Sequence, residues 1–107
     1  MIYRHEFFNL NNDLQIAYSI NNTELHIVGE AYVLLLALCE KGSMFMEDVK
    51  ELLGIDKNYE GRRIREDIEK INHAVGKEII TMTEIEDEFD EKTVVSLRGG
   101  ENIIKEN

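Results

Sequence analysis

The stretch RRIREDIEKINHAVG, residues 62–76, decides the fold of this chain. Its apolar residues recur at steps of four, three and four: Ile64, Ile68, Ile71 and Val75. This spacing places one apolar stripe along a helix, and a glycine such as Gly76 directly after the stripe is a common helix end. The pattern therefore predicts an amphipathic helix over residues 59–75, with charged side chains on its outer face.

Two further helices are predicted upstream of this stretch. Residues 30–41 are rich in Leu and Ala, with an acid at the start, a base at the end and Gly42 as the stop. A shorter helix has Glu47 and Asp48 in its first turn and ends at Gly54. We expect one core with contributions from all three helices: Val33, Leu34, Leu36, Leu52, Ile64, Ile68, Ile71 and Val75.

The flanking segments have the alternation of strands. Residues 2–8 form one candidate strand, residues 9–13 interrupt the pattern, and an Asn-Asn-Thr turn at residues 21–23 predicts a hairpin. Leu14, Ile16, Tyr18 and Ile20 share the apolar face of the strand that leads into this turn.

Beyond the helices, the sequence is compatible with two different hairpins. One pairs residues 93–97 with 103–104, and the other pairs 79–85 with 93–97. Both pairings are compatible with a single three-stranded sheet.

The order of elements predicts an α+β fold in one domain, residues 1–107. Antiparallel strands occupy residues 1–28, three helices occupy residues 29–76, and strands with a β-hairpin occupy residues 77–107. This order, with an N-terminal antiparallel sheet, three helices and a C-terminal β-hairpin, is that of a winged helix.

The sequence resembles the effector domains of OmpR/PhoB-type response regulators, which are winged helices with an extra N-terminal sheet. The residues GSMFMED at 42–48 are similar to the Gly-x-Val-Val-Ser-x-Glu start of that family's second helix. The apolar stripe of residues 64–75 is similar to the spine of its recognition helix, and LRGG at 97–100 to its Val-Arg-Gly-x-Gly wing. The resemblance implies a stand-alone effector domain, without a receiver domain, that regulates transcription by binding DNA.

The chain also departs from that family pattern. The usual Arg/Lys pair after the third apolar residue of the spine is replaced by Asn72-His73-Ala74. Met46 stands where the family has a Ser/Thr helix cap, and Glu101 stands where the wing has an aromatic residue. These departures remove the phosphate or groove contacts that the family pair supplies.

Charge limits any DNA-binding role to one segment. The chain has 22 acidic and 12 Lys or Arg residues, a net charge of −10, which opposes non-specific binding to nucleic acid. Residues 57–77 are the only basic segment, with six bases and four acids. We expect the third helix and the wing to contact DNA through five residues: Arg62, Arg63, Arg65, Lys70 and Arg98.

The overall charge predicts that such DNA binding is weak, or assisted by a partner or by homodimerisation. The alternative is a solvated helix laced by pairs four residues apart, such as Arg62 with Glu66 and Arg65 with Glu69.

A second function class follows from the acidic C-terminal region, where residues 78–107 hold nine acids and three bases. Such a surface suits an anti-activator or a nucleic-acid mimic that binds a basic protein partner. The candidate docking element is an acidic loop: Glu84, Glu86, Asp87, Glu88, Asp90 and Glu91. A merely solvated loop is the alternative.

Other chemistry is not indicated. His5, His26 and His73 lack further ligands at metal-binding spacing, so we expect no metal, and no cofactor or catalytic motif is present. Cys39 lies in an apolar run, which favours packing over reactivity, and a single cysteine favours a reducing, cytoplasmic location. The longest apolar run, residues 31–39, is too short to cross a membrane. We therefore expect neither an enzyme nor a membrane protein.

Overall fold

In a computed structural model that describes residues 1–86 and 91–107, four strands precede the first helix. The strands are β1 Ile2–Arg4, β2 Phe8–Asn11, β3 Ile16–Ser19, β4 Glu24–Leu25, β5 Ser43–Phe45, β6 Ile80–Glu86, β7 Glu91–Leu97 and β8 Ile104–Glu106. The helices are α1 Glu30–Lys41, α2 Met46–Leu53 and α3 Arg62–Val75. The predicted α+β class, with an antiparallel sheet and three helices, is confirmed.

The first sheet has the strand order β4-β3-β2-β1-β8, and all its pairs are antiparallel. The predicted single strand over residues 2–8 is wrong, because the chain reverses after β1 and the His5 N–H donates to the Phe8 carbonyl at 2.9 Å. Residues 9–11, predicted to interrupt the pattern, belong to β2. The predicted turn at residues 21–23 is confirmed by the β3–β4 pairing, with Asn22 at φ 63°.

The three helices lie close to their predicted positions. α1 has the predicted bounds, while α3 begins at Arg62 instead of residue 59. The shorter α3 has a local cause: the Asp56 carboxylate and carbonyl accept the N–H groups of Asn58 and Tyr59, which holds these residues in a turn. At the other end the Gly76 N–H donates to the Asn72 carbonyl, and Gly76 has φ 81°, as a glycine helix stop requires.

The core confirms part of the predicted set. Leu34, Ile64, Ile68 and Ile71 are buried, and Leu36 and Val75 pack against them in part. Val33 and Leu52 do not belong to the core, because their exposed fractions are 41% and 43%. The buried face of α1 consists of Ala31, Tyr32, Leu34, Leu35, Leu38 and Cys39. Val33 lies on the opposite side of that helix.

The C-terminal strands divide between the two sheets. β6 and β7 form a hairpin, and β5 pairs with the other side of β7 to give a second, three-stranded sheet. The predicted pairing of residues 93–97 with 103–104 is therefore wrong, and the pairing of 79–85 with 93–97 is confirmed. Gly99, at φ 74°, turns the chain after β7 so that β8 pairs with β1 of the first sheet instead.

Candidate interaction surface

The first turns of α3 hold the arginines that the sequence assigned to DNA, and one of them is tied to another helix. The Arg63 guanidinium contacts the Glu30 carboxylate in the first turn of α1, with Nη2 to Oε1 at 2.7 Å and Nε to Oε2 at 3.0 Å. This two-bond geometry matches the planar shapes of both groups. Arg63 therefore stabilises the contact between α1 and α3 and presents less free charge to a partner.

Arg62 projects further from the protein, with an exposed side-chain fraction of 86%. Its Nε lies 3.5 Å from Oε1 of Glu66, which confirms the predicted pair four residues apart. An open cleft at this end of α3 has acids and bases in equal number along its wall: Ile55, Tyr59, Glu60, Arg62, Arg63 and Glu66. The N-terminal end of α3 is therefore electrostatically mixed.

The other three predicted DNA contacts lie apart from one another. Arg65 lines a cleft between α3 and β6, and Lys70 lines a separate cleft beside His26 and His73. Arg98 follows β7, where its N–H donates to the Ile79 carbonyl. The structure brings Arg62 and Arg65 to the outer side of α3, and it does not gather the five predicted residues into one basic patch.

Asn72 fixes the position of β6 against α3. Its Oδ1 accepts the N–H groups of Ile79 and Ile80 at 3.0 and 2.9 Å, and its Nδ2 donates to the Ile80 carbonyl at 3.0 Å. The residue that replaces a basic pair in the resembled family is thus a structural joint between the helix and the hairpin. A short polar side chain close to the end of α3, before a strand, is the sequence signal for this role.

The direction of β6 follows from two contacts. Its start lies at Asn72, near the C-terminal end of α3, while Thr81 and Met82 line the same cleft as Arg65, two turns closer to the N-terminal end. β6 therefore begins beside the C-terminal end of α3 and continues along this cleft, and Glu84 and Glu86 follow beyond Met82.

The face on which these two acids lie follows from the alternation of the strand. Ile80 and Met82 point into the core, so Glu84 and Glu86 lie on the same face of the three-stranded sheet, the face against which α3 packs. Both are exposed. The hairpin thus carries carboxylates on its α3 side, where a DNA-binding wing requires neutral or basic groups.

The cleft between α3 and β6, about 490 Å³ in volume, also carries a net negative charge. Arg65 is the single base in its wall, which also holds Glu69 and Glu78. The predicted acidic loop is wrong at Glu84 and Glu86, which lie in β6, and at Glu91, which begins β7. Asp87, Glu88 and Asp90 lie outside the described residues, as does the side chain of Glu91. We call Glu69, Glu78, Glu84 and Glu86 the acidic wing surface.

A pair of carboxyl groups lies behind this surface, between α1 and α3. Asp67 is only 5% exposed, and its Oδ2 has no hydrogen-bond partner among the described residues. Burial, reinforced by the adjacent Glu30, raises the pKa of Asp67 to about 7, while the hydrogen bond from Asp67 lowers the pKa of Glu30. Under mildly acidic conditions, below the pKa of Asp67 and above that of Glu30, a protonated Asp67 therefore donates to an ionised Glu30.

Asp67 is one of the four acids of the basic segment, residues 57–77. Its position relative to Ile64, Ile68 and Ile71 is the signal that predicts burial, since residues three or four apart on a helix share a face.

Three other findings bear on the expected chemistry. The described residues contain no cluster of three or more His, Cys, Asp or Glu side chains arranged to hold a metal ion. Cys39 is buried, and burial raises its pKa to about 12. Among the helices that the structure describes, none combines the length and apolar character that a membrane crossing needs.

No protein-family model, curated protein or solved structure matches this chain, so the resemblance to OmpR/PhoB-type effector domains stays a prediction.

Proposed function

We propose that this chain is a winged-helix protein-interaction module that binds a basic protein partner through the acidic wing surface. The order of α1, β5, α2, α3 and the β6–β7 hairpin supports the winged-helix assignment. The single buried cysteine supports a cytoplasmic setting, and we assign the protein no catalytic role.

The observation that carries the proposal is the placement of Glu84 and Glu86 on the α3 side of the sheet. A DNA duplex docked along α3 would bring its phosphates beside these carboxylates, and like charges repel. Arg63, which would offset them, is engaged by Glu30. A partner rich in Lys or Arg is instead attracted to this surface over a distance limited by the salt concentration.

The test compares two probes on one protein: a fluorescent peptide that alternates lysine and valine, and a DNA duplex of mixed sequence. We expect the peptide to bind more tightly than DNA at physiological salt. The double variant Glu84→Gln, Glu86→Gln should weaken peptide binding roughly threefold to tenfold, since exposed ion pairs contribute only modest energies. Fluorescence anisotropy measures both affinities.

The matched control for this test is Glu6→Gln with Glu24→Gln. It removes the same charge from exposed positions associated with the first sheet. Equal losses in the two double variants would mean that only net charge matters, and the proposal would then be wrong.

DNA binding through α3 is the second candidate function. The observation in its favour is the exposure of Arg62 and Arg65 on the outer side of α3, with Arg65 beside β6 of the hairpin. On this alternative the protein regulates transcription, and dimerisation or a DNA-bound partner supplies the missing phosphate contacts. The same assay separates the two functions: Arg62→Ala with Arg63→Ala should abolish duplex binding if DNA is the ligand, and should leave peptide binding intact if a basic protein is.

A further inference from the structure

Among residues 1–86 and 91–107, no strand covers one side of the backbone of β6. In the three-stranded sheet the order is β5-β7-β6, so β6 is an edge strand. In β7 the Leu97 N–H donates to the Gly42 carbonyl at 2.8 Å, on the side of β5. Because the backbone groups of a strand alternate in direction, Ser96 and Val94 face β6, opposite Thr81 and Thr83.

This alternation determines which residues of β6 face outward. Thr81, Thr83 and Ile85 bond to β7, and the N–H and C=O groups of Ile80, Met82, Glu84 and Glu86 point away from the sheet. The Asn72 amide takes up both outward groups of Ile80, in the way that a neighbouring strand would. Within the described chain, the outward groups of Met82 and Glu84 have no protein partner.

Apart from the charges of Glu84 and Glu86, the edge of β6 lacks the features that usually block strand addition. Proteins protect edges with short strands, charged residues (lysine above all), proline or bulges. The other three edge strands, β4, β5 and β8, have two or three residues each, whereas β6 has seven. Its sequence, ITMTEIE, has no lysine or proline and is rich in residues that favour strands.

We propose that the outer edge of β6, from Met82 to Glu86, binds an extended lysine- or arginine-rich segment of the partner as an added antiparallel strand. The inference rests on the proposed function and names its binding mode. Basic side chains opposite Glu84 and Glu86 would lie on the same face as these carboxylates, since directly opposed residues share a face. Backbone hydrogen bonds to Met82 and Glu84 would supply the rest of the affinity.

The charge of the edge also selects against a second copy of this chain. If two β6 strands paired antiparallel about Glu84, the two Glu84 carboxylates would face each other, and Glu86 of each copy would lie diagonal to them. Like charges in opposed positions destabilise a strand pair. A basic strand would instead place positive charges opposite the same residues, and these attract. We therefore infer that the occupant is a basic strand.

The experiment uses the lysine–valine peptide and two methylated forms of it. In the added strand the lysines lie opposite Met82, Glu84 and Glu86, so their N–H groups point at β6, while each valine N–H points away. N-methylation of the lysine amides should weaken binding about tenfold or more, because it removes several backbone hydrogen bonds. N-methylation of the valine amides is the matched control and should have a much smaller effect.

Amide hydrogen exchange gives an independent measurement on the unmodified protein. The unmethylated peptide should slow exchange of the Met82 and Glu84 amides about tenfold or more, with no such change in the first sheet. Glu84→Pro removes an outward N–H without touching the ladder to β7, and should weaken binding more than Glu84→Gln does.

The outcomes are distinguishable. Equal binding of all three peptides, weakened by Glu84→Gln with Glu86→Gln, would overturn strand addition and leave the proposed function in place. No binding of any of the three would overturn both. Dimerisation through β6 in the absence of peptide would show that a second copy is the occupant, and would overturn this inference.

Discussion

Replacing Asp67 by asparagine is expected to stabilise the protein at alkaline pH and to have little effect under mildly acidic conditions. In the wild type, burial raises the pKa of Asp67 to about 7, so the folded state holds a proton that the unfolded state has lost. Stability therefore falls as the pH rises from the unfolded pKa of 3.8 through about 7. The variant lacks this ionisation and keeps a donor for Glu30.

The expected size of the effect follows from the shift in pKa. A rise from 3.8 to about 7 corresponds to roughly 2 to 4 kcal/mol lost between mildly acidic and alkaline pH. The charges that face Asp67 are Glu30 on α1 and Arg63 and Lys70 on α3. The two bases oppose the shift, and Glu30, like burial itself, increases it.

Urea unfolding at about pH 5 and about pH 9 measures the difference. Glu69→Gln, an exposed carboxyl on the same helix, is the control and should follow the wild type at both pH values. If Asp67→Asn and the wild type lost the same stability between the two pH values, the inference that Asp67 is buried and protonated would be wrong.

Replacing Asn72 by alanine is expected to destabilise the protein by roughly 2 to 4 kcal/mol, because three hydrogen bonds are lost and the N–H and C=O groups of Ile80 remain unpaired, while the Ile79 N–H keeps its bond to the Lys77 carbonyl. Ile79 and Ile80, whose backbone groups Asn72 engages, are each only 1% exposed. Water therefore replaces the lost bonds poorly. The same substitution frees the start of β6 from α3 and loosens the base of the hairpin.

Urea unfolding at neutral pH measures the loss of stability, and two further variants serve for comparison. Asn72→Asp retains an acceptor for the two N–H groups and loses the donor to the Ile80 carbonyl, so it should lie between alanine and the wild type. His73→Ala, at the exposed neighbouring position, should change stability by less than about 0.5 kcal/mol. If Asn72→Ala also lost less than about 0.5 kcal/mol, Asn72 would not be the structural joint between α3 and the hairpin.

The elements that the sequence predicts best are those whose signals are local. α1 has its predicted bounds because acid, apolar run, base and glycine are all contained within the helix and its first flanking residue. The end of α3 at Gly76 has a similarly local cause. Its start depends on a turn centred on Asp56, which the apolar spacing alone does not reveal.

The errors arise where distant segments decide the outcome. In β3 the buried residue is Ala17, at 0% exposure, while Leu14 and Ile20 are exposed. Ala17 lies opposite Leu10 and Leu25 in the sheet, so its neighbours bury it although its own side chain is small. β8 pairs with β1 across almost the full length of the chain, a contact that no short-range pattern encodes.

In the candidate site, too, local contacts were predictable from the sequence and contacts between distant segments were not. Arg62 and Glu66 are four residues apart, and their pairing was predictable. The partner of Arg63 is Glu30, from a different helix, and this contact pairs one of the five bases that were predicted to bind DNA. The face of the sheet on which Glu84 lies depends on which side of β6 packs against the core, and the sequence left this open because apolar residues occur at both odd and even positions of the strand.

The central claim, that the acidic wing surface receives a basic partner, is tested most directly by mapping the bound peptide on the protein by NMR. The lysine–valine peptide is titrated into isotope-labelled protein at physiological salt, and the amide shifts are followed. The account predicts shifts at residues 81–86 and along the cleft side of α3, around Arg65 and Glu69, with little change in β1, β2 and β3. Shifts spread over the first sheet, or an unchanged spectrum with peptide where a DNA duplex shifts the amides of α3, would contradict it.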